Sequence, residues 1–564
     1  YTNEGGWYDC DKVRFRFGTP EKIGGWQKIS SLSFLGTSRV LHPFVAVDGS
    51  RFVGNGTHLK YYLEEGGGYN DITPLRETTA AGDVTFAATN GSSTLTITDT
   101  AHGANANDFV TFSQAVSLGG VITAAVLNQE YQIVSVPSEN SYTIVAREVA
   151  TLDQITVNGQ YTPTPVTANA ADTANGGGSI IGKYQVQTGL DTTVTGTGWG
   201  AGPYSRGTWG SGADISAVSE TLRLWSNDNL GEDLIINVRN GGIYYWDKST
   251  STAPFSRAVE LSDVAGADAT TPTIAKQIMV SDRDRHVLAF GCDPQDNIGV
   301  QDPLLIRFSD QENPLVWSSE ATNTAGDLRI GTGSEIITAV ETRQQILVFT
   351  DSSLHAMQYL GPPFTFGISL LSANTTIASP LAAIAVDDVV YWMGEQDFYV
   401  YSGQVQKLPC SVRSYVFGNY NSVQSEKVTC GVNSSFSEIW WFYPSENSSS
   451  NDRYVVFNYQ ENAWYYGTLS RSSWTDRGIS PYPIAAGLDG HLYYQDLGSD
   501  DGSANPPSAI LSYIESSQMS IGAGDNFVFL TKLIPDVTFD GSVSPAPSVS
   551  MTLEARSYPG AAYT

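Results

Sequence analysis

Apolar positions along this chain recur with a period of two far more often than with a period of 3.6. A residue at i and i+2 lies on one face of a β-strand, so the alternation predicts short half-buried strands rather than helices. Seven places repeat one pattern: an apolar strand, a tight turn of Asp, Asn, Gly or Ser, then an aromatic-rich strand. They are FVAVDGSRFVGNGTHLKYY from Phe44, LIINVRNGGIYYWD from Leu234, and HVLAFGCDPQDN from His286 with its continuation LLIRFSD from Leu304. ILVFTDSSLHAMQY from Ile346, VVYWMGEQDFYVYSG from Val389, EIWWFYP with RYVVFNYQENAWYYG from Glu438, and PIAAGLDGHLYYQD from Pro483 complete the series. The pairs Asp48-Gly49, Asn240-Gly241 and Asp489-Gly490 predict primed hairpin turns, which need φ > 0 at their central residues.

The spacing of these hairpins separates a sandwich from a repeat architecture. Starts at 234, 286, 346, 389, 438 and 483 are 52, 60, 43, 49 and 45 residues apart. Propeller blades repeat at roughly 40–50 residues, each a small antiparallel sheet that buries its faces only against its neighbours. The fold class expected is therefore all-β, a β-propeller of about six to seven blades. The interval from Phe44 to Leu234 is 190 residues, too long for one blade, and residues 76–203 account for the excess. That stretch is rich in Thr, Ala and Gly, with strand-like alternation in STLTITDT (93–100), DFVTF (108–112), EYQIVSV (130–136) and SYTIV (141–145). A Gly- and Thr-rich return follows at 175–210. We expect a small inserted β-sandwich or β-barrel there, because structureless loops of this length are uncommon in compact domains.

Both ends differ from the repeat. DKVRFRFGTPEKIGGWQKI (11–29) opens as a strand with Val13, Phe15 and Phe17 on one face, and Gly18-Thr19-Pro20 breaks it. Residues 498–507 (GSDDGSANPP) read as a linker. Three strand candidates follow, at 509–516, 526–539 and 548–556. The expected organisation is an N-terminal β segment at 1–30 packing on the platform or the propeller, a propeller from 31–75 plus 204–500, an insert at 76–203, and a C-terminal β platform at 501–564.

Composition sharpens this picture. Of 564 residues, 30 are Lys or Arg and 58 are Asp or Glu, a formal charge of −28. A protein that grips nucleic acid neutralises phosphates with basic side chains, and this balance argues against that mode. Cys10, Cys292, Cys410 and Cys430 are too scattered for a disulfide framework or a zinc site, although Cys410 and Cys430 pair if the fold joins them; buried free thiols are the expectation, as suits a reducing compartment. The chain opens at Tyr1 without Met, as a processed or partial gene product would, with no signal peptide and no apolar run approaching a membrane span.

Catalytic constellations are not evident. His42, His58, His102, His286, His355 and His491 show no metal-ligand spacing, and neither a nucleophile elbow nor a phosphate-binding loop is present. SDQENPLVW (309–317) approximates a sialidase-type Asp-box without its spacing, and Asp282-Arg283-Asp284-Arg285 and Asp500-Asp501 do not match calcium loops. Trp440-Trp441, Tyr465-Tyr466 and Tyr244-Tyr245 read as wedge filling between blades, with carbohydrate platforms as the other reading. The expectation is a non-enzymatic protein with no catalytic, cofactor or metal residues and no cofactor.

VRFRFGTPEKIGGW (13–26), VFTDSSLHAMQYLGPPFTFG (348–367) and YWMGEQDFYVYSGQVQKLPCSV (391–412) resemble tail-hub, or nozzle, proteins of short-tailed bacteriophages, a group that includes packaged-DNA stabilisation and tail tubular proteins. LIPDVTF (533–539) and EARSYPGAA (554–562) fit the same pattern, so the resemblance spans most of the chain outside 76–203. It implies a virion structural protein that is assembled in the host cytoplasm and forms a homohexameric ring below the portal and its adaptor protein. Such a ring continues the DNA-ejection channel, retains packaged genomic DNA without sequence-specific binding, and anchors tail fibres or a needle. The acidity then suits a channel wall that repels phosphates, and equally a large β surface that must stay in solution. Two other classes remain open on the residues alone: a propeller that binds or cleaves host glycans, and a generic propeller scaffold.

Overall fold

The structure, a computed structural model, describes residues 6–149, 164–193, 222–250, 255–502, 508–518, 529–539 and 546–555. It is an all-β protein. Among the described residues, seven four-stranded antiparallel sheets follow one another, each a meander in which every strand pairs with the next. Sheet I covers residues 38–71, II 225–260, III 277–329, IV 336–372, V 383–408 and VI 429–468. Sheet VII takes three strands from 473–495 and its fourth, Trp26–Lys28, from near the start of the chain.

The first strands of these sheets stand side by side in sequence, and the first strand of VII, Ser473–Thr475, lies against that of I, Ser38–Val45, so the succession closes on itself. The apolar cores sit between neighbouring sheets. Phe52, Tyr61, Leu234 and Trp246 fill the space between I and II; Leu288, Ile306, Val348 and Met357 fill that between III and IV. Trp392, Phe398, Trp441 and Val455 belong to a larger cluster shared by IV, V and VI. Each fully buried aromatic or aliphatic side chain contributes about 1.5–3 kcal/mol, and a sheet with both faces apolar gains this only between two neighbours.

Tryptophan indoles stitch adjacent sheets. Trp225 Nε1 donates to Thr57 O (2.7 Å), Trp441 Nε1 to Ala382 O (3.0 Å) and Trp474 Nε1 to Val432 O (2.9 Å). Gly431 makes the last stitch possible, because a Cβ there would lie 2.1 Å from Trp474 Cδ1.

Residues 75–185 form two further four-stranded sheets. One orders Thr85–Ala88, Thr94–Thr98, Ser141–Val145 and Ser135–Ser138; the other orders Glu130–Gln132, Phe109–Ser113, Ile181–Gln185 and Leu75–Thr78. They share one core containing Val84, Ile97, Phe112, Tyr142 and Ile144. EYQIVSV does not form one strand: Glu130–Gln132 and Ser135–Ser138 belong to different sheets, and buried Ile133 lies at the crossing. The Gly-rich return is described only to Thr193 and the 498–507 linker only to Gly502; their remaining positions lie outside the described residues, as do 204–221 and 556–564.

Several sequence expectations need correction. The Gly18 break is a hairpin turn: Phe17 and Gly18 take φ of 52° and 76°, and Thr19–Lys22 returns along Val13–Arg16. The three Asp/Asn-Gly pairs do turn hairpins, but each has a single positive-φ residue, Gly49, Asn240 and Gly490, because these connections are longer than the two-residue primed turn. Among the described residues of the C-terminal segment, Tyr513–Ser516 is a strand paired with Trp7–Asp11, while 529–539 and 546–555 are outside any strand and exposed. An isolated strand has no ladder partner for its N–H and C=O groups, so alternation alone cannot make one.

Candidate functional site: the axis and its two ends

Neighbouring first strands run parallel around a common axis, as their side-chain bonds record. Ser226 Oγ accepts from Ile278 N (2.9 Å), and two residues on Asp228 Oδ2 accepts from Val280 N (2.8 Å). At the finishing end of these strands, carboxylates take over the task. Glu232 accepts from Val47 N, Glu341 from Asp282 N, Asp387 from Arg343 Nη2 and Asp476 from Ser434 N, at 3.1, 3.1, 2.8 and 3.2 Å. Each of these bonds joins one sheet to the next.

Glu341 is the most perturbed of them. Burial, with Asp282 and Asp228 beside it, pushes its carboxyl up to about 7. Burial likewise raises Asp228, against the opposing pull of His42. Near neutral pH this end therefore holds a carboxyl that takes up a proton readily. Among the described residues no group of three or more His, Cys, Asp or Glu is placed to hold an ion.

The starting end is cationic and filled. Arg39 Nη2 donates to Asp191 Oδ1 (2.6 Å) and to Asp191 O (2.7 Å), and His58 Nδ1 accepts from Thr37 N (2.9 Å) beside the same carboxylate. Burial, and then Arg39, brings Lys427 down to about 8, although Lys427 precedes sheet VI and Arg39 belongs to sheet I. Burial likewise lowers His58 to about 4, so it is neutral. Gln424 and Thr193 exchange two bonds, Thr193 N to Oε1 (3.0 Å) and Nε2 to Thr193 O (2.7 Å), which tie the exit from the insert to the short 3-10 turn Ser422–Lys427. Arg239 reaches from sheet II to Ile337 O of sheet IV (2.8 Å). Side chains and two chain segments thus occupy this end of the axis.

A third cluster holds the N-terminal hairpin. Buried Arg14 donates to Glu438 Oε1 (2.8 Å) and Oε2 (3.1 Å) and to Asp496 Oδ2 (2.9 Å), with its guanidinium 3.5 Å from the Phe436 ring centroid. Burial lowers its proton affinity, but the two carboxylates outweigh this and hold it above its ordinary value. Asn433 Nδ2 and Trp440 Nε1 donate to the same acids, at 2.5 Å to Asp496 and 2.9 Å to Glu438. This ties residues 13–22 to sheets VI and VII.

The residues singled out from sequence are dispersed by the fold. The six histidines lie in separate places: His42 on Asn229, His286 on Ser309 O, His355 on Thr332, His491 on Asp489, His102 on Ala104 N and His58 at the axis. The four cysteines are free, Cys410 and Cys430 included, and burial pushes the Cys10 thiol up to about 11 and the Cys292 and Cys410 thiols to about 12. Trp440, Trp441, Tyr244 and Tyr465 are buried wedge residues rather than an open platform. Trp317, at the end of the Asp-box-like stretch, is buried, and its backbone N–H donates to Asp268 Oδ2 (2.6 Å). Sequence reading missed the Arg39–Asp191 and Arg14–Glu438 pairs, which join residues 152 and 424 positions apart. No local spacing carries such a signal.

No family model matches the chain, and no curated protein matches it. Among solved structures, BamB from Moraxella catarrhalis is similar at 11% sequence identity and a TM-score of 0.26, covering 49% of this chain and 83% of that one. A likeness so slight carries no argument about fold or function.

Proposed function

We propose that this chain is a structural, non-enzymatic subunit of a tail hub, the nozzle ring of a short-tailed phage, and that its seven sheets are the blades of one seven-bladed propeller. The observation that carries the reading is apolar surface left open in two places. One is the tip of the hairpin in sheet IV, where Leu360 and Phe364 are 60% and 73% exposed; the other is the C-terminal segment, with Phe529, Ile534 and Leu553 each more than half exposed. Contiguous exposed apolar groups mark surfaces that other chains cover. Leu360 and Phe364 fall within 348–367 and Ile534 within 533–539, stretches that resemble the nozzle family.

In this reading the axis inside each subunit is not the DNA path, since its starting end is filled by Arg39, Asp191, Gln424 and Lys427. The channel lies between copies, in a six-fold ring under the portal adaptor, with fibres or a needle attached outside and genomic DNA passing without sequence readout. Its place is the virion tail, after assembly in the bacterial cytoplasm. Electron microscopy of the purified chain, with mass measurement in solution, tests this directly. Six-fold rings with a central channel support it; a monomer at all concentrations, or glycan binding on an array by that monomer, replaces it with the glycan-binding propeller.

A further inference from the structure

The outer edges of the seven sheets are not equally protected. Fourth strands are two to four residues long in sheets I, II, III, V and VII, and the six-residue Ala463–Thr468 of sheet VI lies under Trp7–Asp11, whose Asp11 carboxylate accepts from Thr468 N (2.7 Å). Sheet IV is different. Its fourth strand, Thr365–Ser372, has eight residues and, among the described residues, pairs only with Leu354–Gly361. It contains no charged residue and no proline, and Leu370 is 50% exposed at its far end. Short length, charges and prolines are the devices by which edge strands avoid pairing with other chains, and this edge uses none of them.

The same chain carries a strand-like segment that joins none of the described sheets. Residues 548–554 read Ser-Val-Ser-Met-Thr-Leu-Glu, a strict alternation that puts Val549, Met551 and Leu553 on one face and Ser548, Ser550, Thr552 and Glu554 on the other. In the structure this segment belongs to no strand, and its three apolar residues are about half exposed. Phe366, Ile368 and Leu370 form the matching row on the edge strand, passing from buried through half-buried to exposed.

We propose that residues 548–554 of one copy add as a fifth strand to the free edge of Thr365–Ser372 in a second copy, with Val549, Met551 and Leu553 covering Ile368 and Leu370. Main-chain bonds of the ladder supply affinity and the alternate side chains supply register, as in other strand additions. A second copy is the occupant because donor and acceptor are different surfaces. Each copy gives one strand and takes one, a heterologous contact that propagates around a ring until it closes. Residues 517–547, 31 in number, extend at most about 100 Å, enough to reach a neighbour. The inference rests on the ring reading above and says how its members are joined.

The test uses full-length chains with Ser369→Cys in one preparation and Ser550→Cys in another, mixed, assembled and oxidised. A disulfide-linked pair should form only in the mixture, and Met551→Asp should raise the concentration needed for half-assembly roughly tenfold or more while leaving the unfolding midpoint of the separate subunit unchanged. Rings that assemble without the link, or that tolerate Met551→Asp, overturn the strand addition and leave the ring standing. A linked pair in an assembly that is not a ring keeps the strand addition and overturns the ring. A link that forms as readily in either preparation alone overturns the pairing of these two strands, and a monomer with no link overturns both proposals.

Discussion

At the residue scale, contacts between sheets depend on a few positions where shape or charge leaves no slack. Gly431 is one. Its neighbour Trp474 lies flat over it, stacked at 5.5 Å on Trp440 and bonded to Val432 O. Gly431→Ala must push the indole away, so we expect a loss of at least about 1–3 kcal/mol, read as a lower midpoint in chemical denaturation. Glu341 is another, and here the sign of a pH effect can be worked out. Its carboxyl is raised in the folded state, to about 7 against an ordinary 4.5, so the folded state binds more protons than the unfolded one between those values. Its contribution is present at low pH and is lost as pH rises from about 4.5 through 7. Glu341→Gln keeps an acceptor for Asp282 N and removes the charge. The variant should therefore be more stable than the parent above pH 7 and should lose that advantage near pH 4.5; a constant difference across the range would show that Glu341 is not the group responsible.

At the element scale, the N-terminal 28 residues do more than their length suggests. Trp26–Lys28 supplies the outer strand of sheet VII, Val13–Lys22 rests on sheet VI through Arg14, and Trp7–Asp11 covers the edge at Ala463–Thr468. A chain starting at residue 29 loses all three and leaves Glu438 buried without its cation. Breaking a buried pair in this way costs about 3–5 kcal/mol by itself. We expect the truncated chain to unfold at clearly lower denaturant, and a peptide of residues 6–28 added in trans to restore part of the loss; an unchanged midpoint would mean that closure by this strand adds nothing. The strand itself was hard to read from sequence, since Trp-Gln-Lys carries no alternation of its own. What sequence did reveal were the middle strands of sheets II to VII, such as Asp233–Val238 and Glu438–Tyr443, which are buried on both faces and so nearly continuous in apolar residues. First strands such as Trp225–Leu230 (WSNDNL) escaped notice because their polar side chains bond to the neighbouring first strand. Of the three C-terminal strand candidates, Tyr513–Ser516 pairs with Trp7–Asp11, and the described parts of the other two, legible as pattern, join none of the described sheets.

At the scale of the whole molecule, the structure gives the formal charge of −28 a use beyond solubility or repulsion of DNA. Aspartates repeatedly accept backbone N–H groups in loops where no ladder satisfies them. Asp172 accepts from Asn169, Gly120, Val121 and Ile122, and Asp268 from Thr270, Trp317 and Ser318. Asp310 accepts from Thr324 N (2.9 Å), and Asp351 from Ser334 N (2.8 Å). Burial pushes each of these four carboxyls up, but the donors outweigh it and hold all of them below the ordinary value of 3.8. A depressed folded-state pKa gives stability that is complete above the unfolded value and is lost as pH falls through the folded one. Because the donors sit in both the insert and the seven sheets, acid should destabilise the two regions over one pH range below about 4, after the earlier loss between 6.5 and about 4 that neutral His58 brings at the axis. Asp172→Ala isolates the local part: it strands N–H groups around residues 120–122, with each buried donor left unpaired costing about 1–3 kcal/mol. Hydrogen exchange should then speed up across Phe109–Ser113 and Thr94–Thr98 of the insert while sheets III to VI keep their protection. Equal loss of protection in both would show instead that the insert and the sheet ring unfold as one unit.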